Sequence, residues 1–142
     1  MKRWIWVAVV LLLGGACKKS DMAKAKKRIR EQAQWEAVWI LGQKPDSVQT
    51  PRPRLRFDFA NALCAGNGGC NTYQAILHIT EKDLSISNLT AFKALCGQPR
   101  DGMEAAFFNA LSRTSKARAK GDDLELLEAN GNTLLVLTPA LW

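Results

Sequence analysis

The sequence predicts a mainly β domain of the α+β class, with a curved antiparallel sheet or partly closed barrel and one packed helix. Three observations support this prediction. The 142 residues are 47% apolar and 23% charged, which is typical of a globular domain and excludes wholesale disorder. Several short segments alternate apolar and polar residues, as half-buried strands do. One later segment has helical spacing, and the order strands, helix, strands favours a single sheet with the helix against it.

Four strands are predicted in the first half of the domain. Each is a short run of β-prone or alternating residues bounded by turn-forming residues. These runs are residues 38–41, 55–59, 73–79 and 84–89. The glycine-rich segment between the second and third runs, residues 65–69, is predicted to be a loop. Its glycines are expected to supply positive φ angles in a turn.

The helix is predicted over residues 101–113. Its apolar positions recur at the spacing of one helical face, which indicates core packing. They are Met103, Phe107, Ala110 and Leu111. Asp101 with Glu104 three residues later has the pattern of a capping box at the helix start.

Three further strands are predicted after the helix. They cover residues 116–120, 124–127 and 134–137, and the first is the weakest of the three. Asn130-Gly131 is a typical hairpin turn between the last two strands.

The first 16 residues have the pattern of a signal peptide. Lys2 and Arg3 give a positive start, residues 4–13 are apolar, and residues 14–16 are small. The apolar run is shorter than the about 20 residues that a membrane-spanning helix needs. We therefore predict export and removal of residues 1–16.

Cys17 follows directly and resembles the lipobox cysteine of bacterial lipoproteins, which becomes the acylated first residue of the mature chain. Gly14 stands where the lipobox usually has Leu. The alternative is ordinary cleavage that leaves Cys17 as a thiol, which would be a liability in an oxidising compartment. Lipoproteins of this type go to the outer membrane unless Asp follows the cysteine, and here Lys18 follows it. The resemblance therefore implies an acyl anchor in the outer membrane, with the protein facing the periplasm.

Residues 17–34 are predicted to be a lipid-anchored basic tether ahead of a domain at 35–142. Residues 18–34 hold seven basic and two acidic side chains, whereas residues 35–142 hold 11 of each. We expect a solvated, partly helical spacer. Contact with lipid headgroups or peptidoglycan is the alternative. Nucleic-acid binding is not expected, because no aromatic residue is interleaved with these cations.

The sequence offers little catalytic chemistry. His78 is the only histidine, and no Ser or Cys stands near it in the pattern of a nucleophile and base. The glycine-rich segment lacks the Gly-Lys-Ser/Thr of a phosphate-binding loop. The cysteines show no CxxC spacing for zinc. We expect no catalytic residue, no metal and no cofactor.

From about residue 35 to residue 139 the chain resembles the META domain (HslJ-like) family. The resemblance rests on a glycine–Cys–Asn–aromatic segment, a later threonine-rich stretch that ends in Cys, the helix and the closing hairpin. The matching residues are Gly68, Gly69, Cys70, Asn71, Tyr73, Leu89, Thr90, Cys96, Glu104, Phe107, Leu111, Leu124, Leu126 and Gly131. Phe92 replaces a usual Thr, Ala75 replaces a common glycine, and Cys64 is additional. The resemblance implies a lipocalin-like cracked barrel, an envelope location and no established catalytic activity.

Three cysteines remain once Cys17 is set aside, which allows one disulfide and one thiol. Disulfides are favoured in an exported protein. The resemblance implies the pair Cys70 and Cys96. A bridge between Cys64 and Cys70 across the glycine turn is the competing alternative, and a bridge between Cys64 and Cys96 or no bridge also stays open. The remaining cysteine is expected to be a buried, inert thiol, with a redox sensor as the alternative.

These observations predict a non-catalytic envelope lipoprotein that supports outer-membrane integrity or stress tolerance by binding a protein partner. The stress-related role is implied by the family resemblance alone. The first alternative is an inhibitor of an envelope hydrolase such as lysozyme, which rests on analogy of fold. The second alternative is a carrier of an apolar ligand in the mouth of the barrel.

Overall fold

A computed structural model describes residues 19–45 and 51–141 of the chain. The predicted signal peptide at 1–16 and the predicted acylation site at Cys17 lie outside these residues. Within the described part, no helix has both the length and the apolar character that crossing a bilayer requires.

Eight strands form one antiparallel sheet, and two helices pack against it. The elements are α1 Asp21–Glu31, β1 Gln34–Ile40, β2 Arg54–Asp58, β3 Leu63–Asn67, β4 Thr72–Ile79, β5 Leu84–Ala91, α2 Arg100–Arg113, β6 Lys116–Lys120, β7 Asp123–Leu127 and β8 Thr133–Pro139. The strand order is β5-β4-β3-β2-β1-β8-β7-β6. The sheet curls until its two edges approach, and the Leu84 N–H donates to the Ser115 carbonyl at 3.0 Å. The predicted mainly β fold with a curved antiparallel sheet is confirmed.

The core lies inside the curl of the sheet. Alternate residues of most strands point inward and are buried, whereas in β7 residues 124–127 are all buried. The largest fully buried side chains are Trp35, Phe107, Ile29, Leu55, Leu84, Leu111, Leu124, Leu126, Leu134, Leu135 and Leu137. Tyr73 of β4 meets α2 edge-on, with its ring centroid 5.8 Å from that of Phe107 and 5.2 Å from that of Phe108. These apolar contacts fix α2 against the inner face of the sheet.

Helix α1 corrects the prediction for the tether. The partial helix expected there is present, but a solvated spacer is wrong for residues 21–31. Met22, Ala25 and Ile29 lie at i, i+3 and i+7, and all three are buried in the core. Ser20 starts the helix, because its side chain accepts a hydrogen bond from the Ala23 N–H at 3.1 Å. A helix with an apolar stripe of this kind packs on a sheet rather than staying in solvent.

The basic residues of α1 bind the ends of three hairpins. Lys26 Nζ lies 3.1 Å from Glu81 in the β4–β5 turn, and Arg28 Nη1 lies 3.1 Å from Asp122 in the β6–β7 turn. Arg30 stacks over the Phe59 ring beyond β2, 5.7 Å from its centroid. Helix α1 therefore crosses the end of the sheet where these turns meet.

Helix α1 also covers the free edge of the sheet. Within β6, the N–H of Ala117 donates to Met22 Sδ at 3.2 Å. An uncovered edge strand would offer such groups to another chain. The helix thus blocks one site at which a second sheet could add.

The predicted loop at 65–69 is wrong for its first part, because β3 extends through Asn67. Strand β3 pairs with β2 on one side and with β4 on the other. Gly66 is required there, since a Cβ on it would lie 2.0 Å from the Arg54 carbonyl oxygen. Backbone pairing to two neighbours holds a segment whose side chains have little strand preference.

Helix α2 begins one residue before its predicted start, but the predicted capping box is absent. Pro99 precedes the helix and makes no side-chain capping bond. The Asp101 carboxylate instead accepts hydrogen bonds from the N–H groups of Cys96 and Gly97, at 2.9 and 3.0 Å. The Asp101 carboxylate therefore binds the loop that leads into α2. The Glu104 carboxylate binds Cys70 and Asn71 instead of the helix start. The three predicted strands after α2 are all present, as β6, β7 and β8.

Candidate interaction site at the disulfide-linked motif

Two loops meet at the end of the sheet opposite to the turns that contact α1. The first, the motif loop at residues 68–71, joins β3 to β4. The second, at residues 92–99, joins β5 to α2. The predicted motif residues Gly68, Gly69, Cys70 and Asn71 lie in the first loop, and Cys96 lies in the second.

A disulfide joins the two loops. Cys70 and Cys96 are bonded, with Cα atoms 6.0 Å apart across 26 residues of chain. The pairing implied by the family resemblance is therefore present, and the bridge between Cys64 and Cys70 is not. Cys64 is the free cysteine among the described residues, and it is buried.

Asn71 ties the loops together a second time. Its side-chain amide donates to the Ala94 carbonyl, and its side-chain oxygen accepts from the Ala94 N–H, both at 3.0 Å. Asn71 is only 5% exposed, and these two bonds satisfy part of the hydrogen-bonding capacity of its buried amide. The Asn71 side chain thus pairs with both the N–H and the carbonyl of Ala94, as the backbone of a neighbouring strand would.

The side-chain carboxylate of Glu104, in α2, binds the motif loop. Its Oε2 accepts from the backbone N–H groups of Cys70 at 3.0 Å and Asn71 at 2.6 Å. Its Oε1 accepts from the Asn71 side-chain amide at 2.6 Å. Three donors to one buried carboxylate are charge-assisted hydrogen bonds, the stronger class in proteins.

Gly68 and Arg100 complete this arrangement. A Cβ at Gly68 would lie 2.8 Å from the side chains of Glu104 and Phe108, so only glycine lets the loop descend onto α2. Arg100 donates from Nε and Nη2 to the Gly69 carbonyl, at 3.1 and 2.8 Å. The family motif thus binds α2 to the motif loop, and its polar groups are used in that binding.

Two apolar side chains project from the second loop, at residues 92–99, whose backbone is held by the disulfide and by Asn71. Phe92 is 75% exposed and Leu95 is 91% exposed, and Lys93 and Ala94 between them are exposed as well. Ala94 is held by Asn71, and Cys96 is held by Cys70. Residues 92–95, named here the apolar loop, therefore present two large apolar groups from an anchored backbone.

The remaining predicted motif residues have structural positions. Tyr73 is buried, and its hydroxyl donates to the Arg54 carbonyl at 3.0 Å. Burial raises the pKa of Tyr73 well above its ordinary value, and the contact with Cys64 adds to that. Thr90 lies exposed on β5 opposite Gln74, and His78 is exposed on β4 opposite Ser85.

The chemistry of Cys64 is that of an inert thiol. Burial raises its pKa to about 12, and the hydrogen bond with Tyr73 only partly offsets that. The thiolate is the reactive form, so a thiol with such a pKa is unreactive near neutral pH.

Three side chains of types that bind metal ions, Cys70, Cys96 and Asp101, lie close together. The two sulfurs are bonded to each other, however, and Asp101 accepts two backbone hydrogen bonds.

The sequence did not predict four parts of this site. The capping-box pattern assigned Glu104 to a helix cap, and no pattern singled out Arg100. Phe92 stood out only as a departure from the family pattern, yet a large apolar residue in place of a polar one was the available signal. Leu95 stands among polar and small residues, and nothing in its periodicity predicts exposure.

The fold and the family emerge from comparison with known proteins. The structure is similar to an NMR structure of a protein from Burkholderia xenovorans, with a TM-score of 0.67 and 21% identity over 84% of this chain and 88% of that one. A second NMR structure matches with a TM-score of 0.59 and 16% identity over 76% and 89%. No curated protein matches the sequence. The family model of the META domain matches residues 28–140, and the chain therefore belongs to the META domain family.

Proposed function

We propose that the chain is a non-catalytic envelope lipoprotein that supports outer-membrane integrity or stress tolerance by binding a protein partner through the apolar loop. The signal-like N-terminus and Cys17 support the envelope location. The observation that carries the binding role is the exposure of Phe92 and Leu95 on an anchored backbone.

An anchored loop favours binding for a thermodynamic reason. Association costs free energy when flexible side chains and loops become ordered, and a loop that is already fixed avoids part of this cost. Aromatic residues in a partner's pocket dominate the affinity of many interfaces. Phe92 and Leu95 fit that role, and Lys93 between them favours a partner whose apolar pocket has an acidic rim.

The test is complementation of a deletion strain under envelope stress. We expect the double substitution Phe92→Ser with Leu95→Ser to abolish complementation and to abolish cross-linking to the partner. Leu141→Ser is the matched control, because Leu141 is 93% exposed but lies at the end of β8, away from the apolar loop. Full complementation by the double variant, at unchanged abundance and melting temperature, would contradict the proposal.

Inhibition of an envelope hydrolase is the second candidate function. The same loop favours it, because an anchored apolar segment can enter an enzyme's cleft with little loss of entropy. Purified protein would then slow a muramidase or protease, and the double substitution would remove the inhibition. Absence of any effect on a panel of both enzyme classes would eliminate this candidate and leave partner binding in place.

A further inference from the structure

The outer face of the sheet bears a cleft at strands β1 and β8. The strand register places Trp39 of β1 beside Val136 of β8, Val136 beside Glu125 of β7, and Glu125 beside Arg118 of β6. These four residues form one row across the strands. Trp39, Val136 and Glu125 of this row line a cleft of about 570 Å³.

The lining of this cleft combines apolar and cationic residues. Val38, Trp39 and Val136 are among the lining residues, although the outer face of a sheet is ordinarily polar. Lys44 and Arg52 line the cleft as well. A cleft of this volume, in which apolar side chains lie beside charged ones, has the character of a small-molecule site.

Among the described residues, the lining holds one acid, Glu125, and two cations pair with it. Glu125 is only 4% exposed, and its Oε2 accepts from Arg118 Nε at 2.7 Å. Lys120 Nζ lies 3.7 Å from its other oxygen. Because two cations surround this carboxylate, it offers little repulsion to a second anion in the cleft.

One hydrogen-bond donor of Arg52 has no acceptor among the described residues. This donor is Nε, which is buried. A buried donor without an acceptor costs free energy and needs an explanation. Arg52 also lines the cleft, and its guanidinium group is well suited to bind a carboxylate there.

We infer that the cleft binds a small amphipathic anion with an apolar chain and one carboxylate. The chain lies over Trp39 and Val136, and the carboxylate accepts from Arg52 beside Lys44. This site is separate from the apolar loop and does not depend on the proposed partner binding.

The test is titration of the full chain, labelled with 5-fluorotryptophan, with decanoate below its critical micelle concentration. The fluorine resonance of Trp39 is assigned by Trp39→Phe. We expect a saturable shift of that resonance. Decanol, which lacks the carboxylate, is expected to bind about tenfold more weakly, the effect of one charge-assisted hydrogen bond.

Charge variants locate the carboxylate. Arg52→Gln is expected to weaken decanoate about tenfold and leave decanol unchanged. Arg56→Gln is the matched control, since Arg56 is exposed on neighbouring β2 and does not line the cleft. Lys44→Gln, at an exposed position, gives a second reading that does not depend on the folding of the Arg52 variant. No saturable Trp39 shift, or equal effects at positions 44, 52 and 56, would overturn the inference.

Discussion

Glu104 illustrates how a tertiary contact displaces a local one. Its position, three residues after Asp101, is that of a capping-box acid. In the fold, two backbone N–H groups and the Asn71 amide compete for the same carboxylate. Three buried donors outweigh one exposed helix end, because a buried donor left without an acceptor costs more. The sequence pattern singles out Glu104 but does not show which groups its carboxylate binds.

Glu104→Gln tests this assignment. The glutamine keeps the shape but loses the charge, and it turns an amide N–H toward donors. We expect the free energy of unfolding to fall by about 2 kcal/mol, measured by urea denaturation. Glu81→Gln is the control, because Glu81 pairs with Lys26 at a 91% exposed position and should change stability little. Equal effects of the two substitutions would show that Glu104 does not hold the motif loop.

The buried thiol of Cys64 gives a prediction that depends on pH. Its pKa is about 12 in the folded protein against an ordinary value of 9.0, so at pH 9 only the unfolded chain is substantially ionised. The preference of the fold for the neutral thiol is therefore complete below pH 9 and is lost as the pH rises toward 12. We expect iodoacetamide at pH 9 to modify Cys64 at least a hundredfold faster in urea than in buffer, by peptide mass mapping. Fast modification of the native protein would instead support the redox-sensor alternative.

At the scale of elements, the strands follow from the sequence more readily than α1 does. Leu55 and Phe57 alternate with charged residues, and that pattern alone predicts β2. In α1 the stripe of Met22, Ala25 and Ile29 has the spacing of a buried face, but the many cations around it suggest a solvated segment. Those cations bind hairpin turns that are distant in sequence, which local reasoning does not supply. β3 was missed for a related reason, since its pairing partners rather than its side chains define it.

Ile29→Ala tests whether α1 belongs to the domain. Ile29 is 1% exposed, and removal of a buried aliphatic side chain costs about 2–4 kcal/mol. We expect that loss in urea denaturation of the whole chain, as a single transition. Lys24→Ala on the exposed face of the same helix is the control and should change the midpoint little. A spacer that does not pack would give the same small effect for both substitutions.

At the scale of the whole molecule, the two ends of the sheet carry different groups. Helix α1 crosses the end where the β4–β5 and β6–β7 turns lie. The apolar loop lies beyond the other end of β4 and β5, braced by Asn71. The family resemblance predicted a cracked barrel, and the order of elements predicted the sheet. The placement of α1 opposite to the apolar loop follows from three-dimensional contacts alone.

This arrangement predicts how the protein is oriented on a membrane. With Cys17 acylated as proposed, Asp21 at the start of α1 lies within about 14 Å of the lipid-bearing residue, because an extended chain spans at most about 3.6 Å per residue. The α1 end then faces the bilayer, and the apolar loop points into the periplasm. We expect a photo-cross-linking amino acid at position 24 to give lipid adducts, and one at position 95 to give protein adducts, by mass spectrometry of intact membranes. Position 141 gives a reference for an exposed apolar site away from the apolar loop, at the end of the sheet where β1 follows α1. Lipid adducts at position 95 and none at position 24 would reverse the orientation and place the apolar loop in the membrane.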